Sequence, residues 1–139
     1  FRYVPTYLAG YYKYKAGDQF TEGGKPVEGK HDICDIYAIM YETSVSVPTL
    51  DGTNAFTSPN LVSMARIKDA KETDEWTYFK LPFTTLPGKF IDKEKLTMGK
   101  YNISIVFTSS LEGDHFNGAI GSTLLIDEAE LIYRSNLDH

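Results

Sequence analysis

The sequence predicts an all-β fold, a jelly-roll sandwich of antiparallel strands, and three observations carry this prediction. Apolar residues recur with the two-residue period of β-strands in most segments, most regularly between Tyr101 and Thr108. Glycine and proline separate these segments at short intervals. Ten tyrosines and eight phenylalanines, residue types that favour strands, occur among 139 residues. This length suits a single domain over residues 1–139 with a hydrophobic core of its own.

Six strands and one helical turn are predicted along the chain. The second of these strands, from Ile33 to Tyr41, is apolar on both faces, which predicts a central strand buried on both sides. A polar loop is expected from Gln19 to His31, a tight turn at Asp51-Gly52 and a helical turn from Asp92 to Leu96. The six predicted strands run from Tyr7 to Lys15, Ile33 to Tyr41, Leu61 to Lys68, Glu75 to Phe83, Tyr101 to Thr108 and Thr123 to Tyr133.

The number of predicted strands leaves the sandwich incomplete, because a jelly roll has eight strands. The shortfall lies at the front of the sequence, where Phe1 to Pro5 starts without a preceding turn. Open sheet edges pair with other strands, and large apolar patches become covered. We therefore expect an upstream segment of the same polypeptide, or another chain, to complete the sandwich.

Charge and cysteine content exclude several classes of protein. Lys and Arg number 14 against 19 Asp and Glu, a net charge of -5, so the cation surplus of a nucleic-acid-binding protein is missing. No apolar run approaches the ~20 residues of a membrane-spanning helix, so no direct membrane span is expected. The lone cysteine, Cys34, excludes an internal disulfide, and its place in an apolar strand predicts a buried, unreactive thiol.

Catalytic motifs have weak support in the sequence. The nucleophile motif Gly-x-Ser-x-Gly is absent, and His115 beside Asp114 in a serine-bearing loop is better explained as a solvated histidine. Glycoside hydrolysis needs two carboxylates across the sugar bond. An enzyme hypothesis therefore stays open through Glu112, Asp114 and Asp127.

Asp127 stands out because strand alternation puts it on an apolar face with Leu125 and Leu131. An unpaired carboxylate there is costly, so we expect Asp127 to be buried and held by a cation, an arginine or backbone amides. A structural calcium ion is one candidate, because calcium takes oxygen ligands from separate segments. No other cofactor is indicated. The preceding loop has three glycines that predict at least one positive φ angle or close backbone contact: Gly113, Gly118 and Gly121.

Aromatic side chains are the strongest compositional feature, at 14% of the residues. Flat rings stack on sugar rings and on nucleic-acid bases alike, and the acidic net charge favours sugars. Strand aromatics more often fill a core, but those of this chain are too many for that role alone. The candidate glycan-contacting residues are Tyr11, Tyr37, Tyr41, Trp76 and Tyr78.

Six segments, taken in order over nearly the whole chain, resemble a known family. They are GYYKYKAG from Gly10, DICDIYA from Asp32, LDG from Leu50, Trp76, YNISIVFTSS from Tyr101 and GDHFNGAIGSTLLID from Gly113. Together they resemble the "putative carbohydrate metabolism domain" (PCMD) family of cell-surface and lipid-anchored proteins from Bacteroides-type bacteria. More distantly, the final segment is similar to jelly-roll carbohydrate-binding modules, in which an aspartate-bearing strand closes the domain beside a calcium ion.

The resemblance implies a jelly roll at the C-terminal end of a larger exported protein linked to glycan use. The location implied is the cell surface, with a lipid-anchored parent in the outer membrane, or the periplasm. Family members carry strands upstream of the segment matching Phe1 to Pro5, in agreement with the strand count. The leading hypothesis is a non-catalytic carbohydrate-binding module. The alternatives are a small glycoside-active enzyme domain and a structural module of a surface lipoprotein that binds no glycan.

Overall fold

The computed structural model describes residues 4–43, 59–68, 70–110, 118–119 and 121–133. Within these ranges the chain forms antiparallel strands and one short helix, so the predicted all-β sandwich is confirmed. The predicted turn at Asp51-Gly52 lies outside the described residues. The elements are β1 (Pro5–Lys15), β2 (Phe20–Glu22), β3 (Lys25–Pro26), β4 (Asp35–Glu42), β5 (Leu61–Arg66), β6 (Thr73–Pro82), β7 (Thr84–Thr85), α1 (Lys93–Thr97), β8 (Tyr101–Thr108), β9 (Gly118–Ala119) and β10 (Thr123–Tyr133).

The six long strands match the six predicted ones, and four short strands were missed. The polar loop predicted from Gln19 to His31 is wrong: β2 and β3 form a hairpin there. Its turn is made by Gly23 and Gly24, with φ angles of 58° and 86°, a region that glycine adopts without steric cost. Strands of two or three residues are too short for a periodic pattern to develop.

Two sheets face each other across the core. The front sheet has the strand order β10-β1-β6 and the back sheet the order β7-β5-β4-β8, while β3-β2-β9 form a third, small sheet. Leu8, Tyr12 and Phe79 of the front sheet pack against Ile36 and Ala38 of the back sheet. These apolar side chains are at most 4% exposed, so this layer is the main source of hydrophobic stabilisation.

β4 is buried on both faces, as its doubly apolar pattern predicts. Cys34, just before it, is 2% exposed, and burial raises the pKa of its thiol to about 11. The thiol is therefore protonated and unreactive at neutral pH. The one charged residue buried in β4, Asp35, accepts two hydrogen bonds from Arg66, at 3.1 Å from Nε and 2.7 Å from Nη2.

The helix α1 has five residues, and its N-cap is Asp92, whose Oδ1 accepts hydrogen bonds from the backbone N–H groups of Glu94 and Lys95. This agrees with the predicted helical turn, since aspartate is a favoured N-cap residue. No helix in the described part of the chain has the length and apolar character needed to cross a bilayer.

A β-bulge interrupts β10 and changes which of its residues face the core. Ala9 pairs with Glu130 and Tyr11 with Asp127, so β10 has one residue more than β1 between these pairs. Glu128, at the bulge, has a φ angle of 51°. The opposite residue is Gly10, where a Cβ atom would lie 3.1 Å from the Cα atom of Ala129. The strand therefore alternates with opposite phase before and after the bulge.

Candidate functional site

The outer face of the front sheet combines aromatic and charged side chains. β1 and β6 pair in antiparallel register, with Tyr11 opposite Tyr78. Residues two apart on a strand share a face, so Trp76 lies beside Tyr78 at a separation of roughly 7 Å. We call this surface the aromatic face; it is formed by Tyr7, Tyr11, Lys13, Trp76, Tyr78 and Lys80.

Three rings of the aromatic face form its centre. The centroids of the Tyr11 and Tyr78 rings are 5.2 Å apart with a tilt of 56°. Tyr78 is 52% exposed and Trp76 44%, although both are large amphipathic side chains that burial would stabilise. Tyr11, on the central strand, is half-buried. The sheet therefore presents rings to solvent from two adjacent strands.

Two lysines lie against the outer rings. The Nζ atom of Lys13 is 4.8 Å from the centroid of Trp76, and that of Lys80 is 4.4 Å from the centroid of Tyr7. These are cation–π distances, and such contacts restrict the motion of the exposed rings. Lys13 is two residues from Tyr11 on β1, so strand alternation places both on the same face. This alternation is the sequence signal that could have identified Lys13 as part of the surface.

Tyr37 and Tyr41, predicted as glycan-contacting residues, are not available for binding. They are 3% and 2% exposed and pack with Ile39 and Leu61 on the other face of the back sheet. That part of the prediction is wrong because β4 is the central strand, and both of its faces are covered. Of the five predicted residues, the structure brings together Tyr11, Trp76 and Tyr78.

Asp127 is exposed, so the prediction of a buried carboxylate is wrong. The bulge accounts for the error: Leu125 before it points outward and is 49% exposed, whereas Leu131 after it packs on the core. Oδ1 of Asp127 accepts a hydrogen bond from the backbone N–H of Glu128 at 2.9 Å. Because Asp127 pairs with Tyr11, its carboxylate lies at the edge of the aromatic face.

The other predicted carboxylates, Glu112 and Asp114, lie outside the described residues, as does His115. Within the ranges that the structure covers, no three His, Cys, Asp or Glu side chains are grouped closely enough to bind a metal ion. Every buried side-chain nitrogen or oxygen among those residues has a hydrogen-bond partner. The calcium ion expected at Asp127 therefore gains no support from its surroundings.

A second buried carboxylate, besides that of Asp35, belongs to Asp32, which sequence reasoning did not single out. Oδ2 accepts hydrogen bonds from Ser110 Oγ at 2.5 Å, Ser122 Oγ at 2.6 Å and the Ala119 backbone N–H at 3.0 Å. Oδ1 accepts from the Ile33 backbone N–H at 2.9 Å. We call this group the Asp32 cluster. It ties the segment before β4 to the segments around β9, and its role is structural.

The glycines beside the Asp32 cluster behave as predicted. Gly121 has a φ angle of 90°, which a residue with a Cβ atom rarely adopts. At Gly118 a Cβ atom would lie 2.9 Å from Ser110 Oγ and 3.2 Å from Asp32 Oδ2. Gly113 lies outside the described residues. The predicted positive φ angle and close backbone contact are both confirmed.

A cavity of about 430 Å³ lies at one end of the back sheet, away from the aromatic face. Its polar groups bind each other: Lys95 Nζ contacts Glu42 Oε1 at 2.9 Å, and the Asp92 backbone N–H donates to the Tyr101 hydroxyl at 2.9 Å. Phe90 at its rim is 74% exposed. The other aromatic residue that lines the cavity, Tyr101, is 2% exposed, so the cavity offers one exposed ring, whereas the aromatic face offers several.

The fold and this surface define a class: a β-sandwich that presents aromatic side chains on an open sheet face. Within that class, the chain belongs to the family described as "Putative carbohydrate metabolism domain", whose model matches residues 1–132. The family predicted from the sequence is therefore confirmed, and the chain is a carbohydrate-related domain. No protein of curated function matches the chain.

Two solved structures are similar over almost all of the chain. One, from Bacteroides thetaiotaomicron VPI-5482, is named a "putative glycoside hydrolase" and is 88% identical, with a TM-score of 0.95 over 98% of this chain. The other, from Bacteroides vulgatus ATCC 8482 and named likewise, is 48% identical, with a TM-score of 0.88 over 96% of this chain. The chain spans 40% and 54% of their lengths, so each of these relatives contains further polypeptide.

Proposed function

We propose that this domain binds carbohydrate through its aromatic face. The observation that carries the proposal is the exposure of Trp76 and Tyr78, 44% and 52%, on one side of the front sheet next to Tyr11. Sugar rings present C–H groups on their faces and hydroxyls at their edges. Exposed aromatic rings match the first, while the lysines and Asp127 at the margin match the second with charge-assisted hydrogen bonds.

The open shape of this surface favours a polymer over a free monosaccharide. Pockets that bind small ligands are concave and bury most of the ligand. A sheet face contacts one side of a chain of sugar rings instead, and adds affinity from several weak stacking contacts. Membership of a carbohydrate-related family supports the same ligand class. We place the binding outside the cytoplasm, at the cell surface or in the periplasm of the parent bacterium.

Affinity gel electrophoresis in cellulose derivatives, xylan, starch and polygalacturonate tests the proposal. Retardation is expected in at least one of these polysaccharides. Trp76→Ala and Tyr78→Ala should each weaken that binding by about tenfold, corresponding to about 1.4 kcal/mol. Thermal unfolding should remain close to that of the unsubstituted chain, because both side chains are largely exposed.

Phe90→Ala is the matched comparison, because it removes an exposed ring at the 430 Å³ cavity. Binding that survives both aromatic-face substitutions and is lost with Phe90→Ala would contradict the proposal and favour the cavity. Absence of retardation in all four polysaccharides would favour the structural-module alternative.

Glycoside hydrolysis is the second candidate function. Asp127 on β10 pairs with Tyr11 on β1, which puts its carboxylate at the edge of the aromatic face. A carboxylate next to a bound sugar could act as acid, base or nucleophile only with a second carboxylate about 5–10 Å away. Release of reducing ends from the bound polysaccharide, abolished by Asp127→Asn with binding retained, would support this candidate. Binding without release of reducing ends would support the non-catalytic role.

A further inference from the structure

An apolar groove runs along one side of the sandwich, where the edges of the two sheets meet. It has a volume of about 390 Å³, and Glu130 is the charged residue at its rim. Within the described residues β8 pairs with β4 alone and β10 with β1 alone, so both strands flanking the groove are sheet edges. The apolar lining residues are Leu8, Ile105, Phe107, Ala129, Leu131 and Tyr133.

The side chains of β8 in this groove belong to the inner face of the back sheet. Phe107 pairs with Ile36 and Ile105 with Ala38, and cross-strand partners lie on the same face. Ile36 and Ala38 are completely buried beneath the front sheet, whereas Ile105 is 41% and Phe107 37% exposed. The core layer therefore extends one strand further in the back sheet than in the front sheet.

We propose that this groove is occupied by a β-strand from polypeptide of the parent protein outside these 139 residues, added to the edge of β10. A fourth strand in that position would cover Ile105 and Phe107 and would pair with β10, which is an edge strand among the described residues. The strand should present apolar side chains to the groove at alternate positions. A basic residue is expected where it passes Glu130, because that carboxylate lines the groove.

The length of the relatives supports this occupant over a second copy of the chain. The Bacteroides thetaiotaomicron relative matches 98% of this chain, which covers only 40% of the relative's own length. Extra polypeptide is thus present in a protein that conserves this fold at 88% identity. Pro5 pairs with Tyr133, and Tyr133 lines the groove, so polypeptide connected to β1 or β10 starts beside it.

Hydrogen–deuterium exchange of the Bacteroides thetaiotaomicron protein and of the 139-residue chain provides the first test. Amides of β10 and β8 that face the groove should exchange at least about tenfold more slowly in the longer protein. The amides of α1, which lies elsewhere, should exchange at equal rates in both. Equal exchange of the two edge strands in the two proteins would overturn the proposal.

Substitution in the full-length parent protein of this chain provides the second test. Ile105→Lys should lower its midpoint of thermal unfolding by at least about 4 °C, because a lysine would be buried against the added strand. Met98→Lys is the matched control, since Met98 is 69% exposed and lies outside the groove. Equal effects of the two substitutions would contradict the proposal. So would a dimer, detected by sedimentation, that Ile105→Lys dissociates, since the occupant would then be a second copy.

Discussion

Replacement of Asp32 by alanine should destabilise the domain more than replacement of any exposed carboxylate. The change removes the acceptor of four hydrogen bonds, from Ser110, Ser122, Ala119 and Ile33. The Ala119 amide is buried and fixed by the backbone, so it would keep its full desolvation penalty. The two serine hydroxyls can rotate towards other acceptors, so their desolvation penalty would be smaller. The expected loss in free energy of unfolding is about 3–5 kcal/mol.

Urea denaturation followed by far-ultraviolet circular dichroism measures this loss directly. Asp18→Ala is the control, because Asp18 is an exposed carboxylate of the same type and should change stability by less than about 0.5 kcal/mol. Asp32→Asn should fall between the two, since it keeps one acceptor oxygen. An Asp32→Ala variant within about 1 kcal/mol of Asp18→Ala would refute the assignment of the Asp32 cluster as a structural tie.

Three further predictions concern other buried contacts. Arg66→Ala should cost about 2 kcal/mol in urea denaturation, because it leaves the buried Asp35 carboxylate without its partner while solvent reaches the vacated position. Gly118→Ala should lower the thermal midpoint, since its Cβ would press on Ser110; no change would contradict the contact geometry. Stability should fall as pH rises from about 9 to 11, because unfolding releases the proton that burial holds on Cys34. Cys34→Ala should lessen this fall in pH-dependent urea midpoints.

The six long strands could be predicted because their period-two patterns report directly on which face meets the core. Tyr101–Thr108 was predicted with its exact bounds, and the double burial of β4 followed from apolar residues on both of its faces. The same reasoning failed for Tyr37 and Tyr41. A sequence pattern shows that a strand is central, but an aromatic residue type alone does not show that its ring reaches solvent.

The error at β10 arose from assuming one phase of alternation along the whole strand. The run Asp127-Glu128-Ala129-Glu130 interrupts the apolar pattern, and this interruption was the available signal for a bulge. The Asp32 cluster had no comparable signal. Three of its four donors lie 78 to 90 residues away in sequence, so only the assembled fold brings them to the carboxylate.

The position of β1 between β6 and β10 has a consequence for how the chain folds. β1 is synthesised before β6 and β10, yet the Thr6 hydroxyl donates a hydrogen bond to the carbonyl of Ile132, 126 residues later. Contacts of such long range slow folding, because the loop entropy must be lost before the contact forms. During synthesis the tyrosine-rich β1 therefore lacks its partner β10 until that strand leaves the ribosome. Aggregation and chaperone binding compete with folding throughout that interval.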